Sequence, residues 1–163
     1  MTEKSGAGAV AGAEEQSKGL AMADNEKVDQ QSPYVLAMII ADSIYVDPSS
    51  GKKTLLGLFS AIFTTVLPAR IGQVALYVAM TDGRGKTPLR IVFVDADEEN
   101  PPIFEAQAEF EFTDPRMVAE LMMSMNNLEF PAAGEYRLQL WCSQELLIER
   151  RIVVSLPPES RDA

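Results

Sequence analysis

The sequence predicts an all-β protein, an immunoglobulin-like antiparallel β-sandwich, on three observations. Phe104, Ala106, Ala108, Phe110 and Phe112 alternate with Glu105, Gln107, Glu109 and Glu111, the period of a strand with one buried face. A second alternating run sets Tyr136, Leu138, Leu140 and Cys142 against Glu135, Arg137 and Gln139, and Ser143-Gln144 then reverses the chain into a β-rich run ending at Val153-Val154-Ser155. The Gly134-x-Tyr136 start is how many immunoglobulin-like sandwiches begin their last hairpin, the tyrosine hydroxyl tying down the preceding loop. Third, strand-like runs succeed one another from Pro33 with a single helical pattern among them.

Taken in order, Tyr34 to Ala41 is apolar on both faces, as expected of a central or doubly covered strand. Asp47-Pro48-Ser49-Ser50-Gly51 is a turn, because proline presets φ and glycine accepts a positive one. Thr54 to Phe63 is again apolar throughout, interrupted by Gly57, a candidate bulge or close approach. Val74, Leu76, Val78 and Met80 make an inward face with Tyr77 pointing the other way. Asp82-Gly83 reads as a hairpin turn across which Leu89 to Val94 pairs back. One short helix is predicted between the late strands. Thr113-Asp114-Pro115 supplies an N-cap and a first-turn proline, and Val118, Leu121, Met122 and Met125, with Met117 beside them, share a helical face. That helix is expected to cap the open end of the sandwich with its methionines in the core; the functional alternative is an adaptable Met-rich groove.

The 163 residues suit one domain, expected over residues 33–157. Residues 1–32 are rich in Ala, Gly, Glu and Gln and nearly devoid of large apolar side chains, so a disordered tail is expected there, and a disordered end over 158–163. The tail lacks the basic start and apolar core of a secretory signal, and no later run is apolar long enough to span a bilayer. With Cys142 as the single cysteine no internal disulfide can form. A cytoplasmic protein with no membrane association is the expectation.

Composition also removes function classes. A net charge of −10, with Lys52, Lys53 and Lys86 the only lysines past the tail, argues against nucleic acid. Arg150-Arg151 reads as two solvated residues on an edge strand. The chain contains no histidine, which excludes Ser-His-Asp and Cys-His nucleophile systems, histidine zinc sites and imidazole acid–base catalysis. Asp82-Gly83-Arg84-Gly85-Lys86-Thr87 ends in Gly-Lys-Thr without the spacing that wraps a phosphate. No cofactor is expected.

Two constellations remain. Asp95-Ala96-Asp97-Glu98-Glu99-Asn100 places hard oxygen donors at alternating positions of a loop, and Asp82, Asp42 and Asp47 lie near other strand ends. Asp95, Asp97 and Asp82 are the metal candidates, although the glycine and terminal glutamate of an EF-hand are missing. The other is Trp141, which alternates with Leu140 and Cys142 and so points away from the face carrying Tyr136. It is either buried or the centre of an apolar contact surface on an outer sheet face.

Pro33-Tyr34-Val35-Leu36-Ala37-Met38 with Asp42, then Asp47-Pro48-x-x-Gly51-Lys52-Lys53-Thr54-Leu55-Leu56-Gly57-Leu58-Phe59, resembles the opening of a family of small uncharacterised bacterial proteins, a domain of unknown function. Tyr77, Thr81-Asp82-Gly83-x-Gly85, Phe130-Pro131 and Gly134-x-Tyr136 continue the resemblance over nearly all of residues 33–155. It implies a bacterial source and a β-sandwich, and carries no activity or catalytic residue with it. Three functions stay open. The first is a non-enzymatic interaction module that forms a homodimer or binds another protein through the sheet face around Trp141. The second is a calcium- or small-ligand-binding module using the strand-end acids. The third is a hydrolase using a carboxylate pair, Asp95 with Asp97 or Asp42 with Asp82.

Overall fold

The computed structural model describes residues 31–159. The expectations for the tail up to residue 30 and for the C-terminal end from residue 160 lie outside the described residues. The strands are β1 (Tyr34–Val46), β2 (Lys53–Leu58), β3 (Ala61–Phe63), β4 (Ala69–Thr81), β5 (Gly85–Asp95), β6 (Phe104–Phe112), β7 (Ala119–Phe130), β8 (Gly134–Cys142) and β9 (Glu145–Ser155). They form a four-stranded sheet in the order β2-β1-β4-β7 and a five-stranded sheet in the order β3-β9-β8-β5-β6. All pairings are antiparallel except that of β3 with β9. With β2 set aside, β1-β4-β7 facing β9-β8-β5-β6 matches the A-B-E against G-F-C-C′ layout of an immunoglobulin sandwich.

The core lies between the sheets. Met38, Ile40, Val74, Leu76, Val78 and Met80 come from one side, and Leu89, Ile91, Phe93, Leu138, Leu140 and Ile152 from the other. Beside them Tyr136 is buried, and its hydroxyl donates to the Ala132 carbonyl at 2.8 Å while accepting from the Ala132 N–H at 3.3 Å. The β7–β8 loop is thus tied down by the tyrosine that the Gly-x-Tyr start announces. Its ring meets Phe130 edge-on at 4.9 Å, and Phe130 meets Phe93 likewise at 5.4 Å. The Ser143-Gln144 turn joins β8 to β9 as expected, with Ser143 at a φ of 52°.

Four sequence expectations need correction. There is no helix among the described residues: Met117 to Met125 leads into and forms the start of β7. The run carries two periodicities at once, because Ala119, Leu121, Met123 and Met125 also alternate, and unbranched methionine fits either. The open edge of β4 decides between them: β7 pairs along it from Ala119 to Phe130, and Val118 and Met122, which a helical stripe would bury, are exposed. Thr113-Asp114-Pro115 instead makes a tight turn, with the Asp114 carboxylate accepting from the Arg116 N–H at 2.9 Å.

Asp82-Gly83 does not make a hairpin. β4 and β5 belong to different sheets, and the dipeptide is the corner by which the chain crosses between them. A Cβ on Gly83 would sit 2.4 Å from the Phe112 ring, so only glycine lets the corner close over that side chain. The apolar run from Thr54 to Phe63 likewise divides, at Phe59-Ser60, into β2 of one sheet and β3 of the other. Arg150, finally, is no solvated edge residue. It is half-buried on β9, and its guanidinium donates to the Met38 carbonyl of β1 at 2.9 Å, bridging the two sheets where β1, paired with β4 on one side, has no β2 partner on the other.

One irregularity is shared by neighbours. Along β4, Ile71 and Val74 face the core with Gly72 and Gln73 exposed between them; along β7, Met125 and Leu128 do so around Asn126 and Asn127. Both strands thus switch faces at the same level while Ile71 stays opposite Leu128 and Gln73 opposite Asn126, with Asn127 at a φ of 54°.

Replacing Tyr136 with Phe is expected to lower unfolding stability by about 1–2 kcal/mol, since it leaves the Ala132 carbonyl short of its donor. Chemical denaturation should show a lower midpoint with an unchanged slope, because the strands themselves remain.

Candidate functional site

Five apolar side chains are buried without belonging to the central core: Ala41, Ala75, Ala79, Val92 and Val94. By their register the alanines lie on the outer face of the four-stranded sheet and the valines on the outer face of the five-stranded one. Each outer face therefore has its own cover, and the two covers differ in kind.

The first is a folded arm. If β1 and β2 ran straight, Lys53 could not approach Glu120. Lys53 pairs with Val46, whereas Glu120 lies level with Ala79 and Ala37, nine residues back along β1 (46 − 37), or about 30 Å. Yet the Lys53 ammonium contacts the Glu120 carboxylate directly. The β1–β2 hairpin beyond Ala41 must therefore curl back over the sheet. Gly57 makes the bend: its φ is 70°, and a Cβ there would sit 2.2 Å from the Asp42 carboxylate opposite. Ala75 and Ala79 leave room for the arm over this face, since larger side chains would hold it off. Ile44, Leu55 and Lys53 face inward, partly buried; Tyr45, Leu56 and Leu58 face outward at 54%, 50% and 61% exposure.

The arm tip is closed by the expected turn. The Asp47 carboxylate accepts from the Ser50 hydroxyl at 2.6 Å and from the Ser49 N–H at 3.1 Å, which holds it below the usual carboxylate range. A clasp fastens the tip to the sheet. Glu120 receives Lys53 on one oxygen and the Tyr77 hydroxyl on the other at 2.6 Å, beside a hollow of about 560 Å³. The Lys53 bond, and then that from Tyr77, hold Glu120 below its ordinary value, while donation of its proton to Glu120 pushes Tyr77 up.

The second cover is ionic, and Trp141 is part of it. The indole is half-buried, with the Arg90 guanidinium 5.4 Å from its ring centroid and its N–H donated to Gln139 at 3.1 Å. Arg90 also pairs with Glu105. Gln139, itself buried, donates to Glu98 at 3.0 Å and Glu149 at 2.8 Å, and Arg137 and Arg151 pair with Glu135. Trp141 does point away from Tyr136, as the alternation predicts, but it lies within a polar lattice over Val92 and Val94.

The candidate acids do not converge. Asp82 and Asp95 stand just before and at the end of the 11-residue β5, so they cannot share a cation, and Asp42 sits on β1 against Gly57. Among the described residues no group of three or more acids, cysteines or histidines could hold a metal. Asp95 and Asp97 do line a common hollow of about 260 Å³. There Asp95 accepts from the Asn100 amide at 2.8 Å on one oxygen, while its other oxygen is buried with no partner. Sequence reasoning missed the clasp altogether, because Lys53, Tyr77 and Glu120 come from three separate strands and meet only through the bend at Gly57.

Residues 36–155 match a family described as a family of unknown function (DUF6941). The chain belongs to that family. Its matched span runs from Leu36, the third residue of β1, to the end of β9 and includes the arm and the clasp. No curated protein matches the chain. Among solved structures, an immunoglobulin-like protein from Pseudomonas aeruginosa is similar at 15% identity and a TM-score of 0.41, covering 77% of this chain and 98% of that one. Such a likeness carries no argument, so the sandwich rests on this chain's own strand order. No helix among the described residues is long and apolar enough to cross a membrane.

The clasp makes stability depend on pH. Glu120, depressed in the fold, contributes stability that is present above its unfolded pKa and lost as pH falls through the folded one. Tyr77, raised, contributes below its ordinary value and loses that contribution as pH rises through the folded one. Glu120→Gln should flatten the acid limb of a stability–pH curve. At neutral pH it should cost under about 1 kcal/mol, since Lys53 and Glu120 are both part-exposed. Limited proteolysis should cut the arm faster in that variant.

Proposed function

We propose that this protein is a non-enzymatic interaction module that contacts a protein partner through the outward face of the β1–β2 arm. One observation carries the reading. Tyr45, Leu56 and Leu58 stand exposed on a single face of a hairpin whose other face is already occupied by the sheet beneath. An apolar face on an extended arm is the kind of surface that protein contacts cover. Trp141 is a weaker candidate, because Arg90 and Gln139 already engage its indole. The single, buried Cys142 is compatible with the cytoplasmic setting we favour.

Tyr45→Lys with Leu58→Lys should abolish the association while leaving the melting transition in place, since both side chains are solvent-facing. Trp141→Ala should lower stability and spare the association. Light scattering and binding measured against a purified partner separate the two. Loss of binding in Trp141→Ala alone would transfer the contact surface to the five-stranded sheet.

A second reading, binding of a cation or small ligand, draws on the unpartnered buried oxygen of Asp95 in the hollow it shares with Asp97. Buried polar atoms ordinarily have partners. Calcium would then raise the melting temperature of the parent protein and not that of Asp95→Asn; an unchanged transition in both removes this reading.

A further inference from the structure

We propose that the partner of the arm is a second copy of this chain, joined by antiparallel pairing of β2 with β2 across a twofold axis. This rests on the reading of the arm as the contact surface and names what it contacts.

Among the described residues the sheets end in four edge strands, β2, β7, β3 and β6, and an exposed edge is a template for another strand unless something blunts it. Three of the four are blunted. β3 has three residues. β6 presents Glu105, Glu109 and Glu111 on its solvent face, so two such edges would set acid against acid. β7 carries Glu120 and Glu129 and has Asn127 in the left-handed region. β2 is different. After Lys53 its edge reads Thr54-Leu55-Leu56, with no acid and no proline, and the kink at Gly57 falls at the sheet end of the strand.

Charge favours the same edge. The chain carries −10, so most surfaces of two copies repel. From Asp42 to Leu58 the arm holds Asp42 and Asp47 against Lys52 and Lys53, two of each sign, and is neutral. Arm can meet arm without the repulsion that other faces impose.

The geometry also closes on itself. A twofold antiparallel β2–β2 contact is isologous, so it ends at a dimer and does not propagate. Backbone groups on the free side of β2 would find partners, and the two four-stranded sheets would become continuous. Leu56 and Leu58 of both copies, with Tyr45 beside them, would come onto one face and shelter each other from water.

The test uses the full chain in sedimentation velocity over a wide range of concentration. A concentration-dependent dimer is expected, favoured by added salt because screening relieves the repulsion between two chains of −10. Leu56→Lys with Leu58→Lys should give a folded monomer whose melting transition, unlike the parent's, does not rise with protein concentration, since neither side chain contributes to the core. Thr54→Cys treated with a short bis-maleimide should give a covalent dimer, and Gln107→Cys on β6 should not. A chain monomeric at every concentration, or a dimer surviving the double lysine variant, overturns the proposal. If the chain is monomeric and that variant nevertheless loses a different purified protein that the parent binds, the arm remains the contact surface and only self-pairing falls.

Discussion

β1 and β4 of one sheet and β5 of the other carry buried apolar residues on both of their faces, and much of the molecule follows from having to cover the second face. A sandwich buries one side of each sheet as a matter of course. Here β1 and β4 also carry Ala41, Ala75 and Ala79 outward, and β5 carries Val92 and Val94. Left in water, each would forfeit roughly 25 cal/mol for every Å² of apolar surface exposed. Ala75 and Ala79 leave room for a two-stranded arm over their face. The taller valines are roofed by long polar side chains, whose stems cover apolar surface while their ends pair with one another. The arm, its bend at Gly57, the clasp at Glu120 and the lattice around Trp141 are answers to that one requirement.

Much of the sandwich could be read from single residues. The alternation of Phe104 to Phe112 placed a strand with one inward face, and Tyr136 placed the corner at the β7–β8 loop, because both signals depend on contacts local in sequence. The errors arose where two structures share one local signature. Met117 to Met125 satisfies a helical and an extended period together, and only the edge of β4, distant in sequence, selects the strand. An Asp-Gly dipeptide turns a hairpin and a sheet-to-sheet corner equally well; the deciding contact is Phe112, thirty positions downstream of Asp82 (112 − 82).

The candidate site was less legible than the fold. Direction could be read: Trp141 was expected to point away from the face carrying Tyr136, and does. Cover could not. Thr54 to Phe63 is apolar throughout, and periodicity alone cannot distinguish a side chain covered by protein from one awaiting a partner. Leu55 and Leu56 are adjacent residues with opposite fates, one against the sheet and one in solvent. The acids failed for a related reason, since a strand's length separates Asp82 from Asp95 however close their loops look on paper.

The matched switch at Gly72 and Asn127 bears on how this domain can change over time. Deleting one residue from β4 alone, or from β7 alone, would leave the extra residue of the other strand with nothing opposite it and disturb the facing pairs, so either loss alone should be purged. Removing Gly72 and Asn127 together would restore ordinary alternation in both strands and keep their facing pairs aligned. Insertions and deletions here should therefore travel in pairs, which makes this short stretch a hereditary marker by which branches of the family could be sorted.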